Sequence, residues 1–311
     1  MRVQKAESPI ELSVVVPTYN QAGLLQENLH ALVDQTLPKN TYEIVVVDDG
    51  STDHTAAVLR EFAGPVRTVR LPANRGRSVA RNEGIRHANG RLVTFVDSDI
   101  LVRPDFLAQH LDAYRSNGPG VLSRGPVVLV PDVQTARDSP MPRLTSSPAF
   151  LDTANASVER SALLEAGLFD ERFPGYGWED FELGIRLRRL GIRRVFCRQA
   201  VGFHVQPPIT QASIQSLLRK EDERAKSAVY FYRKHPTFEV RLLIQATPVH
   251  RLLYSIQSGF GLLTPKNVEH IAARLRRGRR TGLADLAMRG VLNRHYLKRL
   301  TDELAQSRHL G

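Results

Sequence analysis

The first hundred residues alternate between two hydrophobic rhythms. Short runs rich in β-branched side chains, at residues 12–17, 43–47, 66–71 and 91–96, read as strands. Between them, residues 22–34, 53–62 and 77–88 read as helices, and Leu24, Leu25, Asn28, Leu29 and Leu32 keep mostly helical spacing. Asp53 is placed to cap the second helix and Gly64-Pro65 to end it. Continuous apolar strands separated by helices predict an α/β fold, with a mainly parallel sheet covered by helices on both faces. Such sheets take ligands beyond the C-terminal ends of their strands.

The rhythm changes past residue 120. Residues 121–130 read as one strand, and the polar, proline-bearing stretch 131–148 is long enough to suggest a functional or mobile segment. A helix at 160–166, a Gly/Pro-rich turn at 173–177 and a helix at 179–190 follow; Leu183, Leu187 and Leu190 share a face of the last. Residues 193–205 contain another strand. From residue 209 the chain reads as helical nearly to its end, broken near Pro236, Pro248, Pro265 and Gly278.

Composition adds limits. With 311 residues and 42% hydrophobic side chains the chain can bury a sizeable core. Its single cysteine, Cys197, excludes an intrachain disulfide and a cysteine metal cluster. The net charge of +11 suggests anionic partners, and it is uneven: from residue 264 onward eleven Lys and Arg stand against four acidic residues. The run from Arg274 to Arg280 is densely cationic, with apolar residues from Leu275 to Leu300 interspersed through and after it. It reads either as a solvated face of helices packed on the rest of the protein or as a dock for anionic lipid or a polyanionic acceptor. A nucleic-acid partner is not expected, since no zinc, helix-turn-helix or RNP pattern is present and no aromatics interleave with the basic run. Residues 1–11 lack an apolar signal core and no run approaches ~20 apolar residues. The expected location is cytoplasmic, with peripheral contact at the inner face of an anionic membrane as an added reading.

Four groups of residues carry chemistry. Asp97-Ser98-Asp99 follows an apolar strand, and residues two apart in extended chain face the same way. Two carboxylates converging there need a cation or a shared proton, unless both are simply solvated in a loop. Asp48-Asp49-Gly50-Ser51 also exits a strand; a carboxylate there can accept hydrogen bonds from a base or ribose, or the segment is a capped strand-to-helix turn. Gly177-Trp178-Glu179-Asp180 opens a helix whose N-terminus favours an ionised Asp180, ready to accept a proton. His204, near the end of a strand, is a suitable ligand for Mn²⁺ or a similar ion, although a lone histidine is more often structural.

Taken in order, these segments resemble an inverting family 2 glycosyltransferase with the GT-A fold, over residues 12 to about 205. The resemblance rests on Val14-Val15-Val16-Pro17-Thr18-Tyr19-Asn20, Val45-Val46-Val47-Asp48-Asp49-Gly50-Ser51, Asn74-Arg75-Gly76 and Ala80-Arg81-Asn82-Glu83-Gly84-Ile85. It continues through Phe95-Val96-Asp97-Ser98-Asp99, Gly167-Leu168-Phe169-Asp170-Glu171 and Trp178-Glu179-Asp180-Phe181-Glu182-Leu183. It implies a catalytic domain over 1–208, with a nucleotide-sugar half to about residue 120 and an acceptor half beyond, and a basic helical extension over 209–311.

The same resemblance implies roles for single residues. Pro17, Thr18 and Tyr19 would border the nucleobase and Asp49 would bind it; Arg81 would lie near the diphosphate, with Ser98 beside the nucleotide-sugar. Asp97 would meet the ribose or a divalent metal, Mn²⁺ or Mg²⁺, and Asp99 and His204 would ligate that metal. Asp180 would be the catalytic base with Glu179 beside it, and Asn155 and Trp178 would line the acceptor side. The implied donor is a nucleotide diphosphate-sugar, a UDP-sugar first, and the acceptor a hydroxyl on a glycan, a lipid-linked sugar or a similar molecule in polysaccharide or glycoconjugate synthesis. No Gln-x-x-Arg-Trp run is present, which argues against a processive membrane synthase. A metal-dependent nucleotidyltransferase would use paired aspartates in the same way, whereas a dinucleotide-binding dehydrogenase is disfavoured because no G-x-G-x-x-G follows the first strand.

Overall fold

The structure, a computed structural model, describes residues 10–140, 149–207, 209–278 and 280–309. By compactness it falls into two units: residues up to 171 together with 180–207, and residues 172–179 together with those from 209 onward. Sequence patterning expected a single boundary near residue 208; the short segment 172–179 groups with the helical unit instead.

The first unit opens with β1 (Leu12–Thr18), α1 (Ala22–Val33), β2 (Tyr42–Asp48), α2 (Thr55–Glu61), β3 (Val66–Arg70), α3 (Arg77–His87) and β4 (Leu92–Phe95). It continues with β5 (Ile100–Val102), α4 (Phe106–Asn117), β6 (Val121–Arg124), β7 (Val127–Val130), α5 (Val133–Asp138), β8 (Ala156–Glu159) and α6 (Arg160–Glu165). It closes with α7 (Glu179–Arg189), β9 (Arg193–Phe196) and β10 (Gly202–Val205). Seven strands form a sheet in the order β3-β2-β1-β4-β8-β6-β9, parallel except at β8, which runs antiparallel to both neighbours. A second sheet has the order β5-β10-β7.

Side-chain alternation in β1 explains the two covered faces. Leu12, Val14 and Val16 pack with Leu25, Leu29 and Leu32 of α1 and Phe106 of α4, whereas Val15 joins Ile85 of α3 and Leu183 and Leu187 of α7. Helix α3 lies close on the sheet because Gly84 has no side chain there; a Cβ would stand 2.3 Å from Val15 Cγ1.

Two expected strands each divide. Residues 121–130 form β6 in the large sheet and β7 in the small one, and the break is Gly125-Pro126. A Cβ on Gly125 would lie 1.9 Å from the Ala200 carbonyl oxygen, and Pro126 has no N–H for a ladder. Residues 193–205 likewise separate into β9 and β10, one in each sheet. Strand β5 has only three residues, too few for periodicity to reveal. Of the stretch 131–148, residues 133–138 form α5, capped by Asp132, whose carboxylate accepts the Thr135 N–H at 2.7 Å; residues 141–148 lie outside the described residues.

Asn155, expected to line the acceptor side, is fully buried, its Nδ2 donating to the carbonyls of Pro126 (2.9 Å) and Ala200 (2.7 Å). It thereby pins the turns that precede β7 and β10. Those two acceptors leave Asn155 Oδ1 facing His110 Nε2 at 2.9 Å, so Nε2 carries the proton and Nδ1 accepts from the Ser123 hydroxyl at 2.8 Å.

Burial pushes the His110 pKa down from 6.5 to about 4, against the Asn155 hydrogen bond, which favours the protonated ring. When pH falls below 6.5 the unfolded chain takes up a proton that the folded chain refuses. Stability therefore declines until about pH 4, by about 3 kcal/mol at about 1.4 kcal/mol per pH unit. Urea unfolding of His110→Gln above and within that window should show a shallower loss than the wild-type chain; equal slopes would mean that His110 already titrates normally when folded.

The second unit contains α8 (Gln211–Lys234), α9 (Phe238–Leu243), α10 (Pro248–Gln257), a 3-10 turn (Gly259–Gly261), α11 (Val268–Arg277) and α12 (Thr281–His309). The expected breaks near Pro236, Pro248, Pro265 and Gly278 all fall between helices or at their ends. Ile214 of α8, Val268 and Ala272 of α11, and Ala284, Met288 and Val291 of α12 form its core. Asp222 ties α8 to α12 through His295 (2.8 Å) and Arg299 (3.0 Å).

Candidate active site

Strands β1, β2 and β4 are parallel, with Thr18 level with Asp48 and Val15 level with Phe95. Their C-terminal ends therefore meet at one rim, and the candidate residues leave from it. At the end of β1, Thr18 is buried with a hydroxyl that has no hydrogen-bond partner in the structure, while Tyr19 is exposed and offers a flat ring to solvent. Asn20, at φ +51°, braces this exit to the next: its Oδ1 accepts the N–H groups of Thr52 (2.8 Å) and Asp53 (3.3 Å), and its own N–H donates to Ser51 Oγ.

At the end of β2, Asp48 accepts the Ser51 N–H at 2.8 Å. Asp49, expected on the nucleobase, spends one oxygen on the Arg75 N–H (2.7 Å) and the other on the Gly76 N–H (2.8 Å). Burial raises its pKa, and the two amides offset this only in part. Its observed work is thus to clamp the 74–76 loop against the rim. Gly50 makes the clamp possible at φ +74°, where a Cβ would come within 2.6 Å of the Ala73 backbone. Gly50→Ala is expected to cost about 1–3 kcal/mol of stability; a thermal melt unchanged from wild type would dismiss that account.

The aspartate turn lies between β4 and β5. Asn28 of α1 holds its backbone, with Nδ2 donating to the Ile100 carbonyl (2.5 Å) and the Asp97 carbonyl (3.3 Å). Ser98, expected beside the nucleotide-sugar, is buried, and its hydroxyl donates to Gln21 Oε1 at 3.2 Å, so it fixes the turn to the start of α1. Arg81, expected at the diphosphate, is also buried; its Nη2 reaches Asp97 Oδ1 at 2.9 Å, and the guanidinium lies over the Phe169 ring. It acts on the site through Asp97, fixing that carboxylate and holding a positive charge beneath it.

Asp99 and His204 come together. Strand β10 pairs antiparallel with β5, so His204 stands level with Ile100, next to Asp99. The distance from His204 Nε2 to Asp99 Oδ2 is 3.2 Å. Burial works against a charged His204, yet the hydrogen bond to Asp99 and the charges of Asp99 and Asp97 prevail and raise its pKa. Burial likewise opposes ionisation of Asp99, but the His204 hydrogen bond and charge, with Arg77 beyond, hold its pKa down. Asp99 Oδ1 is buried without a hydrogen-bond partner. An anionic oxygen with nothing to accept, beside an imidazole nitrogen, fits a cation. Asp97, expected as a further ligand, has its Oδ1 committed to Arg81, and among the described residues no three His, Cys, Asp or Glu side chains group closely enough to hold an ion alone. Asp99 and His204 would therefore be only part of the ligand set of such an ion.

Asp180 lies in the first turn of α7, partly exposed, and its Oδ1 accepts the Phe181 N–H at 2.8 Å. The helix is anchored by Leu183 and Leu187 in the cluster that holds Phe95, and by Glu182 and Arg186, paired at 2.7 Å, with Arg186 also donating to the Leu168 carbonyl at 2.6 Å. Glu179 is buried. Trp178, expected on the acceptor side, is buried within the helical unit: its indole N–H donates to the Arg224 carbonyl at 3.1 Å and its ring stacks with Phe231. Its φ of +75° is rarely adopted by a bulky residue, and the ring's packing on α8 holds it there.

The braces Asn20, Gln21 and Asn28 received no role from sequence reasoning. For Asn28 a signal existed: it interrupts the apolar stripe of α1, where a buried amide needs partners. Asn82 was quoted only as part of a motif; it joins α3 to the segment leading toward α7, bonding both the N–H and the carbonyl of Phe169 and, at 2.8 Å, Glu171 Oε1.

Solved structures share this architecture. Mannosyltransferase PcManGT from Pyrobaculum calidifontis, in complex with GDP-Man and Mn²⁺, matches with a TM-score of 0.60 over 96% of this chain and 90% of its own, at 22% identity. Staphylococcus aureus TarS 1–349 in complex with UDP-GlcNAc matches with a TM-score of 0.53 over 89% of this chain and 90% of its own, at 18% identity. The fold is that of the GT-A glycosyltransferases. Residues 13–159, just under half of the chain, match the model of Glycosyl transferase family 2. Validoxylamine A glucosyltransferase of Streptomyces hygroscopicus subsp. jinggangensis is 32% identical over 265 residues, covering 73% of this chain and 61% of the relative. The chain thus spans about three fifths of that relative's length.

Proposed function

We propose that the protein transfers a sugar from a nucleotide diphosphate-sugar to an acceptor hydroxyl, with inversion at the anomeric carbon. The observation that carries this reading is the Asp99–His204 pair at the strand rim, with a buried, partnerless Asp99 oxygen and with Asp97 fixed by Arg81. Asp99 and His204 would hold Mn²⁺ or Mg²⁺, which when bound stabilises negative charge on a departing diphosphate.

The chain's own residues divide the remaining work. Tyr19 presents its ring to the nucleobase, Thr18 has a free hydroxyl beside it, and Asp49 shapes the base-side loop. Asp97 turns its remaining oxygen to the ribose. Asp180 removes the proton from the acceptor hydroxyl as that oxygen bonds to the anomeric carbon. The bond from that carbon to the diphosphate oxygen breaks in the same step, and the nucleoside diphosphate leaves. Uridine is the first choice of base; the structural neighbours bound to UDP-GlcNAc and GDP-Man support testing both uridine and guanosine donors. Sugar nucleotides should raise the melting temperature in the presence of Mn²⁺, and turnover should release nucleoside diphosphate. Release of pyrophosphate instead would make the protein a nucleotidyltransferase.

A further inference from the structure

The helical unit carries a surface that the transferase reading leaves unused. Helix α10 is amphipathic in the reverse sense. Val249, Leu252, Leu253 and Ile256 recur at helical spacing on one face, and that face points to solvent. Its inner side is already occupied: Tyr254 is buried, Gln257 Oε1 accepts from Asn293 of α12, and Gly290 of α12 lets that helix approach the Gln257 carbonyl. The turn that follows extends the exposed apolar surface with Phe260 and Leu262. All six side chains are 45–79% exposed. Phe260 has φ +53° between Gly259 and Gly261, both also at positive φ, so backbone strain is spent on displaying an aromatic ring. An exposed apolar stripe of this kind is a binding surface in most soluble proteins.

The surrounding charge identifies the partner. Between residues 240 and 284 there are eight Lys and Arg and one acidic residue, Glu269. Arg251 and Lys266 are exposed around the stripe, and the Arg294 guanidinium lies directly against Gly261 in the turn. A second copy docked stripe to stripe would bring these cations opposite one another. A nucleic acid would leave the apolar side chains without a partner. An anionic lipid surface satisfies both halves, with apolar side chains entering the acyl boundary and cations at the headgroups. No helix among the described residues is long and apolar enough to cross a membrane, so attachment through these helices lies in the interface plane.

We infer that α10 and the turn after it dock the protein on anionic bilayers, with Val249, Leu252, Leu253, Ile256, Phe260 and Leu262 inserted among the lipids. This inference does not depend on the transferase reading. The test is flotation of the full-length protein with phosphatidylcholine vesicles and with vesicles that also contain phosphatidylglycerol, alongside light scattering of the protein alone. The full-length protein should float with the anionic vesicles, less so as salt is raised. Leu252→Ser/Ile256→Ser/Phe260→Ser, which changes only exposed positions, should lose about tenfold or more of that binding while keeping the wild-type melting temperature. Arg251→Gln/Lys266→Gln should weaken anionic binding and increase its tolerance of salt. Absence of flotation by the wild-type protein, flotation unaffected by the triple substitution, or equal flotation with neutral vesicles would each overturn the inference. A dimer in light scattering that the triple substitution dissociates would also overturn it and assign the stripe to self-association.

Discussion

Asp180→Asn is expected to lower turnover by about 10²- to 10⁴-fold while leaving donor affinity unchanged. The argument begins with the helix. The N-terminus of α7 favours a negative charge, and Asp180 Oδ1 already accepts the Phe181 N–H, so the carboxylate is oriented. Asparagine keeps the shape and an acceptor oxygen for that N–H, so α7 should begin as before. What it removes is the capacity to take a proton. The proposed donor-side groups leave the ends of β1, β2 and β4 and strand β10, not this helix, and calorimetry with a sugar nucleotide should therefore match the wild-type result. Glu179→Gln tests the neighbour: Glu179 is buried, so its loss should appear as lower stability more than as a lower chemical rate. Turnover of Asp180→Asn within about threefold of wild type would remove Asp180 as the base.

The α/β half was legible because its signals are local. Apolar runs such as 12–17 and 43–47 are longer than chance alternation, and the helices between them carry a consistent polar face. Reading failed where a few residues decide the path. Nothing in the hydropathy of 121–130 shows that Gly125-Pro126 sends its two halves into different sheets; the steric reason, the approach of the Ala200 carbonyl, comes from seventy-five positions further along.

The site followed the same division. Acidic residues at strand ends were visible because strand ends are, and the parallel register brings them to one rim. Which of them meet was not visible. Arg81, Ser98 and Asn155 are polar residues in suggestive positions, yet each is buried and spent on holding another group. A sequence shows that a side chain is polar, but not whether its partner is a ligand or the protein's own backbone. Trp178 makes the same point, since its acceptor is the carbonyl of Arg224, in a helix that no local pattern connects to it. In α10 the helical period was detectable and its direction was not, because periodicity defines a stripe without saying which side faces the core.

Asp99→Ala should weaken metal-dependent donor binding by about 100-fold or more, given that losing even an outer partner of a metal ligand costs about 10- to 100-fold in affinity. Two effects combine. The substitution removes the buried Asp99 Oδ1, an oxygen with nothing to accept beside the His204 ring, which is the feature that makes the rim suited to a cation. It also releases His204, whose ring is oriented by the 3.2 Å contact with Asp99, so the second candidate ligand loses its alignment. Asp99→Asn separates these effects: an amide can retain a contact with the imidazole but offers a neutral oxygen in place of an anionic one. If the carboxylate serves a cation, both variants should lose the Mn²⁺-dependent rise in melting temperature with sugar nucleotide. If Asp99 only positions β10 through His204, Asp99→Asn should retain it. Calorimetry in which Asp99→Ala binds donor equally well with and without Mn²⁺, at wild-type affinity, would remove Asp99 from the donor site. The rim would then be a structural ion pair, and the cation-assisted part of the transfer proposal would have no residue left to support it.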